Sequence, residues 1–142
     1  MKRLIITGLS FLMIFIHFTG HAQTEQKSSA TSSEISNQVA VYYFHFTRRC
    51  NTCIAVEENS QKAVEELYPE QVKSGEYIFK AINLDEDSSK EIAKELGVSM
   101  QTLLVVHGDK KIDITGEGFM YAHDLEKLKE EIKKAVEKAL KV

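Results

Sequence analysis

The chain has 142 residues, 43% apolar and 27% charged, with 18 basic against 21 acidic side chains and a formal net charge of −3 at pH 7. An acidic surface of mixed sign argues against nucleic acid as a partner, because phosphate recognition needs a basic face. The length suits one domain with a single modest core.

The first residues, "MKRLIITGLSFLMIFIHFTGHAQ", place Lys2 and Arg3 before an apolar run from Leu4 to Phe18, followed by Gly20 and Ala22. That is the three-part layout of a secretory signal peptide, residues 1–22, with cleavage before Gln23. The apolar run is shorter than the roughly 20 residues of a membrane-spanning helix and is interrupted by Thr7, Ser10 and His17. The expected protein is therefore exported, periplasmic or secreted, and meets the membrane only through the signal segment. Cleavage leaves 16 basic and 21 acidic residues, a net charge of −5. Residues 23–38 are rich in Ser, Thr, Glu and Gln and carry no aromatic side chain. They cannot bury enough apolar surface to offset the ordering of their backbone, which predicts a flexible leader ahead of a folded domain at 39–142.

"VAVYYFHFT", residues 39–47, is dense in β-branched and aromatic types and predicts a buried strand. After Cys50, apolar or small residues recur at Cys53, Val56, Ser60, Ala63, Val64 and Leu67, the three-four spacing of one helix face. Pro69 ends or kinks that helix. "YIFKAINL", residues 77–84, predicts a second strand. In "DEDSSKEIAKELGV", Ser88 and Glu91 have capping-box spacing, Ile92, Ala93 and Leu96 form a stripe, and Gly97 is placed to end the helix. "TLLVV", residues 102–106, suits a central strand covered on both faces, and "HGD" turns the chain into an edge strand, "KKIDIT". A last helix repeats Leu125, Leu128, Ile132, Ala135, Val136 and Leu140. The order β-α-β-α-β-β-α predicts an α/β domain. Strand-helix-strand connections imply parallel pairing, and the tight turn adds an antiparallel edge.

The only two cysteines lie in "FTRRCNTC", at the predicted strand-to-helix junction. A C-x-x-C pair in a βαβ pattern reads as a redox motif of the thioredoxin kind. Cys50, at the helix start, faces unsatisfied N–H groups that favour a thiolate. Cys53, one turn in, is the expected resolving thiol. Arg48 and Arg49 add positive charge, either beside the Cys50 sulfur or pointing into solvent, where they act on substrate selection. Two other readings compete. A metal site would draw on the two thiols with His45, His107 and His123, although no second pair of ligands stands at ligand spacing. A purely structural disulfide would close so small a loop that it contributes little stability.

With these elements in place, residues 39–141 resemble the thioredoxin superfamily along nearly their whole length. More narrowly, "VYYFHFTRRCNTC" is similar to exported bacterial thioredoxin-like proteins named as the ArsF subunit family of a nitrophenyl-compound nitroreductase. The resemblance implies a three-layer sandwich on a mixed four-stranded sheet. It also implies a thiol-disulfide oxidoreductase that transfers electrons through Cys50 and Cys53, acting as a monomer and needing no bound cofactor. Its partners would be protein disulfides or dithiols, or a membrane thiol electron donor. The sequence departs from the family pattern at four places. Arg49 replaces the Trp before the first cysteine, and Asn51 and Thr52 replace Gly-Pro between the two. Phe44 stands where the family has a buried acid. Gln101 stands where the family has a cis-proline, so a trans bond is expected there, with Met100 or Gln101 near the sulfurs as a substrate-binding element. These departures leave room for a second reading, a non-catalytic accessory or binding subunit of a redox system whose C-x-x-C is regulatory or vestigial.

Overall fold

The computed structural model describes residues 38–141. The expected signal peptide, and the leader up to residue 37, lie outside the described residues.

Strand β1 (Val39–His45) is buried at every position because it is an inner strand of a four-stranded sheet. β2 (Tyr77–Asn83), β3 (Thr102–His107) and β4 (Lys110–Asp113) complete it in the order β2-β1-β3-β4. β1 pairs with β2 in parallel, from Val39 opposite Tyr77 to His45 opposite Asn83. It pairs with β3 antiparallel, with Phe44 opposite Thr102 and Val39 opposite His107. β4 adds an antiparallel edge on β3.

The period-two alternation of β1 divides the core into two layers. Val39, Val41 and Tyr43 face helices α1 (Asn51–Leu67) and α5 (Leu125–Leu140), meeting Val56, Ala63 and Val64 on one and Leu128, Ile132 and Val136 on the other. Ala40, Tyr42 and Phe44 face the opposite way, toward Ala93 on helix α3 (Lys90–Leu96). The architecture is thus α/β, with a mixed open sheet between helices. Among the described residues no helix is long and apolar enough to cross a membrane.

Helix length explains why β2 runs parallel to β1 and β3 does not. At about 1.5 Å per residue, the 17 residues of α1 span about 25 Å, matching the roughly 23 Å of a seven-residue strand. α1 therefore returns the chain to the far end of the sheet, and β2 starts beside Val39. The seven residues of α3 cover only about 10 Å. The chain stays near the end where β2 finished, and β3 starts beside Phe44 and runs back. The strand-helix-strand rule of parallel pairing holds at the first connection and fails at the second. This reversal places Gln101 and Thr102 at the end of the sheet where β1 delivers the cysteines.

Other local expectations were corrected. The Ser88–Glu91 capping box does not form: Asp87–Ser89 is a 3₁₀ turn, and the Ser88 and Ser89 hydroxyls both donate to Glu86 instead. The helix begins afterwards, at Lys90, and ends as expected with Gly97 at φ +74°. Pro69 does not merely stop α1; it opens a short helix α2 (Pro69–Ser74), where its missing N–H costs nothing. The edge strand stops at Asp113, whose carboxylate accepts from the Thr115 N–H and hydroxyl at 2.8 and 2.6 Å. Thr115 then opens helix α4 (Thr115–Met120), which the sequence pattern did not indicate. In α5 the buried stripe closes on Ala139, and Leu140 is left 40% exposed.

Candidate active site

The site begins with the way α1 starts. Cys50 has extended backbone, φ −81° and ψ 167°, and is the N-cap residue. Its sulfur accepts from the Cys53 N–H, and the Cys53 sulfur accepts from the Cys50 N–H, both at 3.3 Å. The reciprocal pair is a capping box built from two sulfurs. The two cysteines are joined as a disulfide, with Cα atoms 5.1 Å apart. No acidic residue occupies the first turn, so no carboxylate neutralises the positive helix end at Cys50. Cys50 is exposed and Cys53 is 7% exposed, so an incoming sulfur reaches Cys50 first.

Behind Cys53, β1 and β3 place two polar side chains. Gln101, just before β3, donates from Nε2 to the Tyr43 hydroxyl. Its Oε1 lies 3.9 Å from the Cys53 sulfur. Tyr43 is fully buried, and that burial raises its phenol above the ordinary range, an effect moderated by the bond from Gln101 and the nearby Arg49 charge. It remains a neutral hydroxyl at physiological pH. Every peptide bond among the described residues is trans, the one before Gln101 included. Of the two residues expected near the sulfurs, Gln101 turns inward, whereas Met100 is 67% exposed. A groove of about 380 Å³ opens beside this loop, between Val98–Thr102 and the Asp113–Thr115 corner.

The two arginines divide. Arg48 is exposed, whereas Arg49 tucks inward and donates to Oε2 of Glu57, one helical turn beyond Cys53. The same carboxylate oxygen lies 3.8 Å from His45 Nε2, and His45 Nδ1 lies 3.0 Å from the Phe46 carbonyl. The Arg49 guanidinium is therefore already paired inside the protein. The loop leading to it is tied to the end of β2. The Asp85 carboxylate accepts from the Thr47 N–H at 2.8 Å, which holds that carboxyl below its usual range, and Asn83 Nδ2 donates to the Thr47 hydroxyl at 3.0 Å.

The position beneath the cysteines is not the one found by counting back along the sequence. Six residues before Cys50 stands Phe44, but Phe44 packs on the α3 side of the sheet. Tyr43 is on the cysteine side. Strand alternation combined with the α1 face could have identified it. Glu57 was also missed, although its place four residues after Cys53 puts it on the same helix side. His45, a candidate metal ligand in the sequence reading, pairs with Glu57, and His107 lies at the opposite end of β3, beside Val39. Among the described residues no group of three or more His, Cys, Asp or Glu side chains is placed to hold a metal ion. No protein-family model matches the chain, and no curated protein matches it.

Proposed function

We propose that the chain is an exported thioredoxin-like thiol-disulfide oxidoreductase acting on protein disulfides or dithiols. The observation that carries this reading is the asymmetry of the pair: an exposed Cys50 at an unneutralised helix N-terminus, joined to a buried Cys53 one turn in. The sheet order, with a parallel pair beside an antiparallel strand and helices on both faces, supports a thioredoxin-like fold.

In the reducing direction, the Cys50 thiolate attacks one sulfur of a substrate disulfide. The substrate S–S bond breaks, its electron pair leaves with the other substrate sulfur, and a mixed disulfide joins Cys50 to the substrate. The Cys53 sulfur then attacks Cys50, closing the internal disulfide and releasing the second substrate thiol. Two electrons pass from the dithiol to the substrate, and a second protein dithiol or a membrane thiol donor restores the pair. Oxidation of a substrate dithiol is the same sequence in reverse. Arg48 and Met100, which are exposed, and the neighbouring Gln101 serve in substrate binding.

The test is a trapping experiment with a disulfide-containing protein substrate. Cys53→Ala should accumulate a mixed disulfide through Cys50, and Cys50→Ala should accumulate none and lose turnover. If partner binding and function survive the loss of both thiols, the protein is an accessory subunit and the oxidoreductase reading fails. Equilibration with glutathione then gives the direction. A potential near that of thioredoxin, about −270 mV, marks a reductant, and one near about −120 mV marks an oxidant.

A further inference from the structure

Resting on the oxidoreductase reading, we propose that Gln101, oriented by Tyr43, is the positioning residue that keeps the Cys53 thiol protonated until a mixed disulfide calls it into use.

An amide side chain has one donating and one accepting end. Gln101 gives its donating end to the Tyr43 hydroxyl, so the end left beside Cys53 is the carbonyl oxygen, 3.9 Å from the sulfur. In the reduced protein that oxygen accepts a hydrogen bond from the Cys53 S–H. A Cys53 thiolate would instead face a carbonyl lone pair. Hydrogen bonding to the neutral form of an acid disfavours ionisation, and Cys53 is also buried, which acts in the same direction. Each sulfur accepts one capping-box N–H at 3.3 Å, a bond that strengthens when the sulfur is charged, and only Cys53 also has the Gln101 carbonyl beside it.

The N–H that the Cys53 sulfur accepts is matched by the one that Cys50 accepts, so it does not separate the two thiols, and the side chains around Cys53 add no compensating charge. From the loop comes Arg49, already paired with Glu57 of α1, and His45 at the end of β1 faces the same carboxylate. β1 also contributes Tyr43, a neutral phenol, and β3 is preceded by Gln101. No unpaired cation is directed at the Cys53 sulfur among these groups. The two thiols are thus driven apart in proton affinity by the Gln101 carbonyl and by the burial of Cys53, which assigns attack to Cys50 and resolution to Cys53. When Cys53 attacks, its proton passes through solvent to the departing substrate sulfur, so the step is balanced without any further donor.

Tyr43 and Gln101 are 58 residues apart, and Gln101 and Cys53 are 48 apart, so only the fold joins the three. The experiment uses the Cys50→Ser chain, in which Cys53 is the single thiol, and follows its ionisation by thiolate absorbance and by the pH dependence of iodoacetamide alkylation. Tyr43→Phe releases the amide to turn its N–H toward the sulfur. The Cys53 midpoint should fall by about one pH unit, with alkylation at fixed pH about tenfold faster. Gln101→Glu places a carboxylate beside the sulfur, and the midpoint should rise by about as much. A role confined to packing would loosen the site in both variants and move both midpoints the same way. Shifts of the same sign, or no shift in either protein, overturn the proposal. Circular dichroism checks each fold, and Gln101→Leu, which removes the accepting oxygen and should lower the midpoint, replaces Tyr43→Phe if that variant unfolds. The titration involves no substrate. A wild-type protein without disulfide exchange activity therefore refutes the oxidoreductase reading, and opposite shifts in the same protein leave the role of Gln101 standing.

Discussion

The Cys50 sulfur is both the expected nucleophile and the N-cap of α1, and these two roles can be separated by comparing Cys50→Ser with Cys50→Ala. Neither variant can form the disulfide, so the loss of the cross-link cancels between them. What remains is the cap. Serine keeps an acceptor for the Cys53 N–H, which the sulfur holds at 3.3 Å, and alanine leaves that N–H without a side-chain partner. Losing such an N-cap costs about 1 kcal/mol, within a range of about 0.5–2 kcal/mol. For a domain of roughly 100 residues that corresponds to about 4–8 °C in Tm per kcal/mol. Thermal unfolding followed by circular dichroism should therefore place Cys50→Ser above Cys50→Ala by several degrees, while both variants fail to turn over a protein disulfide. Equal stability of the two would mean that the bond at position 50 contributes nothing. The argument that the helix N-terminus favours a Cys50 thiolate would then lose its structural basis. Turnover by the serine variant would remove Cys50 from the mechanism altogether.

Two further outcomes are expected from the packing and the buried phenols. A Cβ at Gly118 would lie 2.7 Å from Cδ2 of the fully buried Leu103, whereas one at Gly116 in the same helix meets nothing within 4 Å. Gly116→Ala should stabilise by about 0.5 kcal/mol. Gly118→Ala should destabilise by about 1–2 kcal/mol, overpacking outweighing its helix propensity. Urea denaturation giving the two variants equal midpoints would refute the claim that α4 needs this close approach. At alkaline pH, Tyr42, Tyr43, Tyr68 and Tyr77 all have phenols raised above 10.0, chiefly because burial penalises the phenolate, with Tyr68 pushed up to about 12. The folded protein thus keeps protons that the unfolded chain has already released. This contribution to stability is complete below about pH 10 and is lost as pH rises toward about 12. Tyrosine ionisation followed by ultraviolet absorbance should coincide with loss of structure, and tyrosines that all titrate near pH 10 in a folded protein would contradict the burial argument.

Local pattern carried a large part of this protein. The alternation of β1, the three-four spacing after Cys50 and the stripe of α5 each identified an element and its buried face, because a single period decides which side chains share a side. The C-x-x-C at the strand-to-helix junction was legible for the same reason: a helix start lies where a strand pattern ends and a helical one begins. Local pattern failed where two local signals competed. Ser88 and Glu91 have capping-box spacing, yet Glu86 draws the neighbouring serine hydroxyls, and the helix starts later. Thr115 belongs to a plausible strand, yet its hydroxyl accepts from the Leu103 N–H and its backbone enters α4.

By itself, then, the sequence determined the chemistry available and the helix end that holds it: two thiols three residues apart, with the first at an N-terminus. It did not determine what stands behind them. α3 is too short to return the chain, so β3 runs antiparallel and begins beside the end of β1. Only that reversal sets Gln101 between Tyr43 and the Cys53 sulfur. The side to which Phe44 and Tyr43 point, and the pairing that holds Arg49 on Glu57, are likewise decided by the packing of α1 on the sheet. Spacing along a chain specifies neighbours within one element. The groups that govern a thiol's proton come from three elements, and their meeting is a property of the tertiary structure.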